Sequence, residues 1–212
     1  GKVLLAPPIA RIKGDRLGRI KMGLSSIFWN TAWTARQAPH TLGILCDPKH
    51  PALRDFPTDS HSNWQWWELL TRSHPFIISD TPAKFRPVVY AIDDWVTNRK
   101  LALLFEARVG NGALLACAMD ITSDLDQRPV ARQLRHSLLD YLASPAFRPA
   151  HELLPQYIQG LLAEPSKIDQ LGARILRTDS EQDGYPAAHV IDGNPATMWH
   201  TTWGEKAAPF PH

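Results

Sequence analysis

The chain predicts an α/β layered fold with a mainly parallel sheet and one antiparallel hairpin, and three observations lead there. Short apolar runs of strand length recur from the first residues onward. Two of them flank Gly110-Asn111-Gly112. Segments with apolar residues at helical spacing are interleaved with the runs.

The elements follow in order. Lys2 to Ala6 is a strand closed by Pro7-Pro8, and Ala10 to Gly23 is a basic, glycine-punctuated loop or set of irregular strands. Thr41 to Cys46 stops at Asp47-Pro48 and reads as a buried strand. Asn63 to Thr71 groups Trp66, Trp67, Leu69 and Leu70, which predicts a helix capped at Ser62 or Asn63. Pro75 to Ser79 and Pro87 to Ile92 are candidate strands, and Asp93-Asp94 should begin a helix through Trp95. Leu101 to Val109 and Ala113 to Met119 form the hairpin, because Gly and Asn tolerate positive φ in a tight turn. Asp124 to Pro129 leads into a helix with an Asp N-cap, an apolar stripe of Ala131, Leu134, Leu138 and Leu142, and an end before Ser144-Pro145. Prolines then punctuate a connector with a short amphipathic piece, His151 to Leu162. From Ala173 a new pattern begins, strand-like to Thr178 and then rich in Gly and Asp.

Composition narrows the function. The 212 residues hold 23 basic and 21 acidic side chains, a formal net charge of +2. That supplies no long-range field for nucleic acid or an anionic membrane. No apolar run approaches the roughly 18 residues of a membrane span. Two cysteines cannot staple a chain of this size. The 18 prolines and 8 tryptophans stand out. The first residues, Gly1 to Leu5, read as mid-chain sequence and Phe210-Pro211-His212 as an abrupt stop, so both ends are expected to be cut points of a longer protein.

Four constellations bear on chemistry. Cys46, at a strand end with His50 and His61 nearby, has the ingredients of a Cys/His acyl-transfer couple. It lacks the small neighbours of a sharp nucleophile turn, which favours a buried, inert thiol, and Cys117 in LLACAM reads as core. His40, His50, His61 and His74 with Asp47, Asp55 and Asp59 contain no tight metal-ligand pair and read as hydrogen-bonded or solvated. Glu68, Asp93, Asp94 and Glu106 could serve acid/base chemistry only if two faced across a cleft, and Glu106 could simply turn to solvent from its strand. Trp29, Trp33, Trp64 and Trp66 are candidate sugar-stacking residues, since indole faces pack on the C–H faces of sugars. The competing reading places these rings in a core or at a seam with a neighbouring domain.

The strings FWNTAW (Phe28 to Trp33), PHTLGILCDPKHPAL (Pro39 to Leu53), HSNWQWWEL (His61 to Leu69) and DLDQRPVARQLRHSLLDYL (Asp124 to Leu142) resemble the C-terminal region of bacterial family-two, β-galactosidase-like glycoside hydrolases. RVGNGALLACAMDI (Arg108 to Ile121) is similar to a segment of class I glutamine-amidotransferase-like, flavodoxin-like α/β domains. That chain segment lacks the glycine-flanked nucleophile, so the resemblance implies no amidotransferase activity. Ser180 to His212, with Ala188, Ile191 to Asn194, Thr197 and Trp199, resembles the opening of a discoidin-like (coagulation factor five/eight type C) module. This second resemblance implies the incomplete start of a galactose-binding-like β-sandwich, with Trp199 as a core anchor. It also implies a structural Ca²⁺ held by Asp192, Asn194 and Thr197.

The expected organisation is an accessory α/β domain (1–147), a linker with a short helix (148–172) and the truncated start of a discoidin-like module (173–212). The expected function is a non-catalytic accessory part of a secreted or periplasmic glycosidase acting on β-galactoside-like carbohydrate. Its partners would be carbohydrate and the parent chain's catalytic barrel and β-sandwich domains, with no nucleic acid and no membrane. The alternatives are a stand-alone carbohydrate-binding module using exposed tryptophans, and a small Cys/His hydrolase.

Overall fold

The computed structural model describes residues 1–15, 20, 22–23, 41–95, 97–164, 167–191 and 198–204, with the side chains of 167 and 169 left aside. The chain divides into two compact units, Gly1–Ala163 and Glu164–His212. Among the described residues no helix is long and apolar enough to cross a membrane.

The first unit is built on one six-stranded sheet. Its strands are β1 (Lys2–Leu5), β2 (Gly43–Cys46), β3 (Phe76–Ile77), β4 (Val89–Ile92), β5 (Leu101–Val109) and β6 (Gly112–Cys117). The order is β1-β6-β5-β4-β2, and β3 also pairs with β5. Only β1 and β6 run parallel, Lys2 lying opposite Ala113; the β2–β4, β3–β5, β4–β5 and β5–β6 pairings are all antiparallel. This corrects the expected mainly parallel, flavodoxin-like layer. The reason lies in the connections: parallel neighbours need a crossover of a dozen or more residues, usually helical. The links from β4 to β5 and from β5 to β6 are too short for that. The long helix α2 (Pro129–Ala143) follows the last strand, so it cannot be a crossover between two strands.

Several local expectations hold. The β5–β6 turn takes its positive φ (54°) from Gly110, and Val109 pairs with Gly112 across it. Helix α1 (Trp64–Thr71) is capped by Asn63, whose side chain accepts from the Gln65 amide. Pro129 opens α2, where its missing N–H costs nothing, and Ser144 ends it with extended backbone. The α2 N-cap position is Arg128 rather than an Asp, and it makes no side-chain cap bond. Its guanidinium instead binds Glu68 and Asp120, and donates to the Ser123 and Asp120 carbonyls. Burial alone would raise the Asp120 carboxyl. Amide donation from Thr122 and Ser123, with Arg128 alongside, outweighs that and holds it below the ordinary range. The fully buried residues of α2 are Ala131, Leu134, Ser137, Leu138 and Tyr141, and Leu142 packs partly buried against the same core. Ser137 repays its burial by donating to the Ala52 carbonyl (2.7 Å) and accepting from the Asp55 amide (3.1 Å).

Residues 148–163 are not a loose connector. The Arg108 amide donates to the His151 carbonyl and the Arg108 carbonyl accepts from the Leu153 amide, while the Lys13 amide donates to the Leu161 carbonyl and the Ala163 amide to the Arg11 carbonyl. A helix α3 (Pro155–Gly160) lies between these ties.

The Asp93-Asp94 pair does not begin a helix; the backbone leaves β4 as a turn and both carboxylates are buried. Arg99 answers them. Its Nε lies 2.8 Å from Asp93 Oδ2, its Nη1 2.5 Å from Asp15 Oδ2 and its Nη2 3.7 Å from Asp94 Oδ2.

The second unit shows no β-strand among its described residues. It contains α4 (Lys167–Gln170) and a 3-10 turn at Ala187–Val190. The strand expected from Ala173 to Thr178 is absent, and the incomplete β-sandwich gives way to a turn-rich segment. Trp199 is 36% exposed, so it is not the expected core anchor. Its Nε1 donates to the Ser180 carbonyl at 3.2 Å, while Trp203 packs edge-on against His200 at 4.6 Å.

Arg99→Ala should destabilise the first unit by about 3–5 kcal/mol, because it strands buried carboxylates without a cation. Denaturant unfolding followed by far-UV circular dichroism reads this directly; a loss under about 1 kcal/mol would show that the carboxylates find other partners.

Candidate functional site

Where β2 and β4 meet the turn after β2, an open cleft of about 460 Å³ enters the first unit. Its position follows from register. Leu45 of β2 lies opposite Tyr90 of β4, so both side chains stand on one face of the sheet. Cys46 ends β2, and Asp47-Pro48 turns the chain so that His50 returns over the same spot. Arg86 and Pro87 enter β4 along the rim. Glu106 projects from the middle of β5, between the fully buried Phe105 and Ala107.

The polar groups are held by specific bonds. Tyr141 of α2 donates from its hydroxyl to Glu106 Oε2 at 2.6 Å. Burial, and then the Glu106 carboxylate itself, push the Tyr141 phenol well above its usual range, so it remains a donor. The His50 ring meets Tyr141 edge-on at 5.6 Å. His50 Nδ1 accepts from the Ala52 amide at 3.2 Å, which places the ring proton on Nε2. Burial lowers the His50 pKa, although Glu106 and Asp47 both pull it upward.

Cys46 and His50 do line one cleft, as the Cys/His reading requires, but they are not an activated couple. The Cys46 thiol donates to the Asp59 carbonyl at 3.3 Å. Burial, with Asp47 adding to it, pushes the thiol up to about 11. His50 already carries its proton on the nitrogen that is not capping Ala52. The remaining members are suited to hold a ligand: a carboxylate acceptor (Glu106), a guanidinium (Arg86), an imidazole N–H and an aromatic side chain (Tyr90). The sequence paired Cys46 with His50 and set Glu106 apart from them, and it gave no sign of Arg86, Tyr90 or Tyr141. The available signal was Glu106 inside the otherwise apolar run LALLFEA.

The tryptophans separate sharply. Trp64 is 85% exposed, and Trp67, one helical turn along α1, is about half exposed. Their ring centroids are 6.0 Å apart, the planes tilted by 54°. Trp66 is wholly buried, packs edge-on against Phe56, and donates from Nε1 to Thr58 Oγ1 at 2.7 Å. It offers no face to a sugar, which corrects its candidacy. Helical spacing explains the split: Trp66, Leu69 and Leu70 share the inward face. Trp29 and Trp33 lie outside the described residues, as does His40 and as do the calcium candidates Asp192, Asn194 and Thr197. Among the described residues no group of three or more His, Cys, Asp or Glu could hold a metal ion. The other carboxylates considered are engaged in ion pairs, Glu68 with Arg128 and Asp93 and Asp94 with Arg99.

Residues 1–163 match the family described as "Domain of unknown function (DUF8487)". The chain belongs to this family. The match ends where the first compact unit ends, at residue 163. A sialidase from Micromonospora viridifaciens is also similar, 48% identical over 50 residues, a stretch that makes up 21% of this chain. The chain spans only 8% of that relative's length.

Two outcomes check the site chemistry. At pH 8 an alkylating reagent should leave Cys46 unmodified in the folded protein and label it promptly in denaturant. Because the folded His50 pKa is lowered from 6.5, the unfolded chain binds its proton first. The His50 contribution to stability is therefore present above that value and is lost as pH falls through the window below it. His50→Asn should flatten this acid limb of a stability-versus-pH profile.

Proposed function

We propose that this chain is a non-catalytic accessory portion of a larger glycosidase-related protein and that it associates with carbohydrate. The observation that carries this reading is the 50-residue similarity to a sialidase. The exposed Trp64–Trp67 pair supports it, because two indoles one turn apart on a helix form an apolar platform for a sugar ring. In the finer form of the proposal, the parent acts on β-galactoside-like substrates outside the cytoplasm. The DUF8487 unit then abuts its catalytic domain, and residues 164–212 belong to an appended carbohydrate-binding segment. The raised Cys46 thiol weighs against the Cys/His hydrolase.

A second reading, a binding module that works alone, shares the same platform. The two part on glycan affinity: a self-sufficient module binds without the parent's other domains, whereas an accessory wall binds weakly or only beside them.

The test is direct. Titration with lactose and related oligosaccharides should change the intrinsic tryptophan fluorescence saturably. Trp64→Ala should weaken binding about ten-fold, the equivalent of an aromatic contact of about 1–1.5 kcal/mol. Chromogenic β-galactosides and sialosides should not turn over above background. Clear turnover would end the accessory reading, and an unmoved spectrum at millimolar sugar would end the carbohydrate reading of this platform.

A further inference from the structure

We propose that the cleft formed by Leu45, His50, Arg86, Tyr90 and Glu106 binds a neutral, hydroxylated ring, the size of a single sugar unit. This deepens the carbohydrate reading above and names a different place for contact, since neither Trp64 nor Trp67 lines the cleft.

Size and placement come first. About 460 Å³ falls within the range of small-ligand pockets. Glu106 sits in the most deeply buried strand of the sheet, where Leu101 to Phe105 are all inaccessible. A carboxylate there is costly to desolvate and adds nothing to apolar packing. Tyr141 commits one oxygen of the carboxylate at 2.6 Å, and Oε1 is the acceptor we assign to the ligand. Arg86 is exposed on the rim and makes no ion pair or hydrogen bond among the described residues.

Charge then selects the ligand class. Glu106 and Asp47 oppose an anion entering the cleft, and Arg86 opposes a cation. A neutral polyol meets both demands, because each hydroxyl donates to a carboxylate while accepting from a guanidinium or imidazole N–H. His50 supplies that N–H from Nε2, its other nitrogen being held by Ala52. Leu45 and Tyr90, opposite one another across β2 and β4, give the apolar wall that the C–H face of a sugar ring requires.

The experiment is calorimetric titration of the full 212-residue chain with galactose, N-acetylglucosamine and lactose, with inorganic phosphate and putrescine as charged probes. At least one neutral sugar should bind, and neither charged probe should. Glu106→Gln keeps an acceptor for Tyr141 and the side-chain volume, and should weaken sugar binding about ten-fold or more. Arg86→Ala, on the exposed rim, should weaken it several-fold without moving the unfolding midpoint, which keeps the test valid if the Glu106 variant folds poorly. Wild-type affinity in both variants, with loss in Trp64→Ala, overturns the cleft and leaves the carbohydrate reading standing. Binding of phosphate or putrescine at the cleft overturns the ligand class. No heat from any neutral sugar overturns the cleft and the carbohydrate reading together.

Discussion

The pairing of β5 constrains everything else in the first unit. Its apolar run from Leu101 to Phe105 is inaccessible, so it has to lie inside a sheet, flanked on both sides. The two-residue turn at Gly110-Asn111 supplies β6 on one side at little entropic cost. The short return from β4 supplies the other. With both neighbours antiparallel, β1 is left to complete the edge by pairing in parallel with β6. β2 closes the opposite edge against β4, which is what brings Cys46 and His50 to the Glu106 face. The cleft is thus a consequence of strand order rather than of any local motif.

Buried charge is handled in the same way in two places. Arg99 gathers Asp15, Asp93 and Asp94, and Arg128 gathers Glu68 and Asp120. In each, a guanidinium spreads several donors over carboxylates that would otherwise be desolvated alone. Glu106 differs, because its bonded neighbour is a neutral phenol and its charge is not cancelled within the bond. That difference is why the proposed ligand contact falls on Glu106 and not on the carboxylates paired with Arg99 and Arg128.

What could be read in the sequence was what a few neighbouring residues decide. Asn63 caps α1, Gly110 turns the hairpin and Pro129 opens α2, all from chemistry within one turn of the chain. The direction of the sheet was not legible, because Lys2 beside Ala113 is a long-range pairing that no local periodicity encodes. The same limit applied to the site. Cys46 and His50 were visible as a pair and Glu106 as a lone carboxylate, but the meeting of all three depends on the β2–β4–β5 adjacency. Arg86 precedes Pro87 and Tyr90 lies within the Pro87 to Ile92 strand run, positions that carry no local mark of a site. The tryptophans show the reverse case: the spacing of Trp66 with Leu69 and Leu70 already held the information that it faces inward and Trp64 does not.

The proposed binding role asks less rearrangement of this cleft than bond-breaking would. Nucleophilic chemistry at Cys46 would need a thiolate near neutral pH, against the combined effect of burial and Asp47. Base chemistry at His50 would need Nδ1 to give up the Ala52 amide, or Nε2 to lose the proton that this bond assigns to it. Either change removes an interaction that shapes the turn after β2. Holding a hydroxylated ligand asks for no such change. Glu106 is already held by the Tyr141 hydroxyl, and the Ala52 amide already sets the His50 tautomer. A site whose donors and acceptors are fixed before the ligand arrives has little ordering left to do on binding.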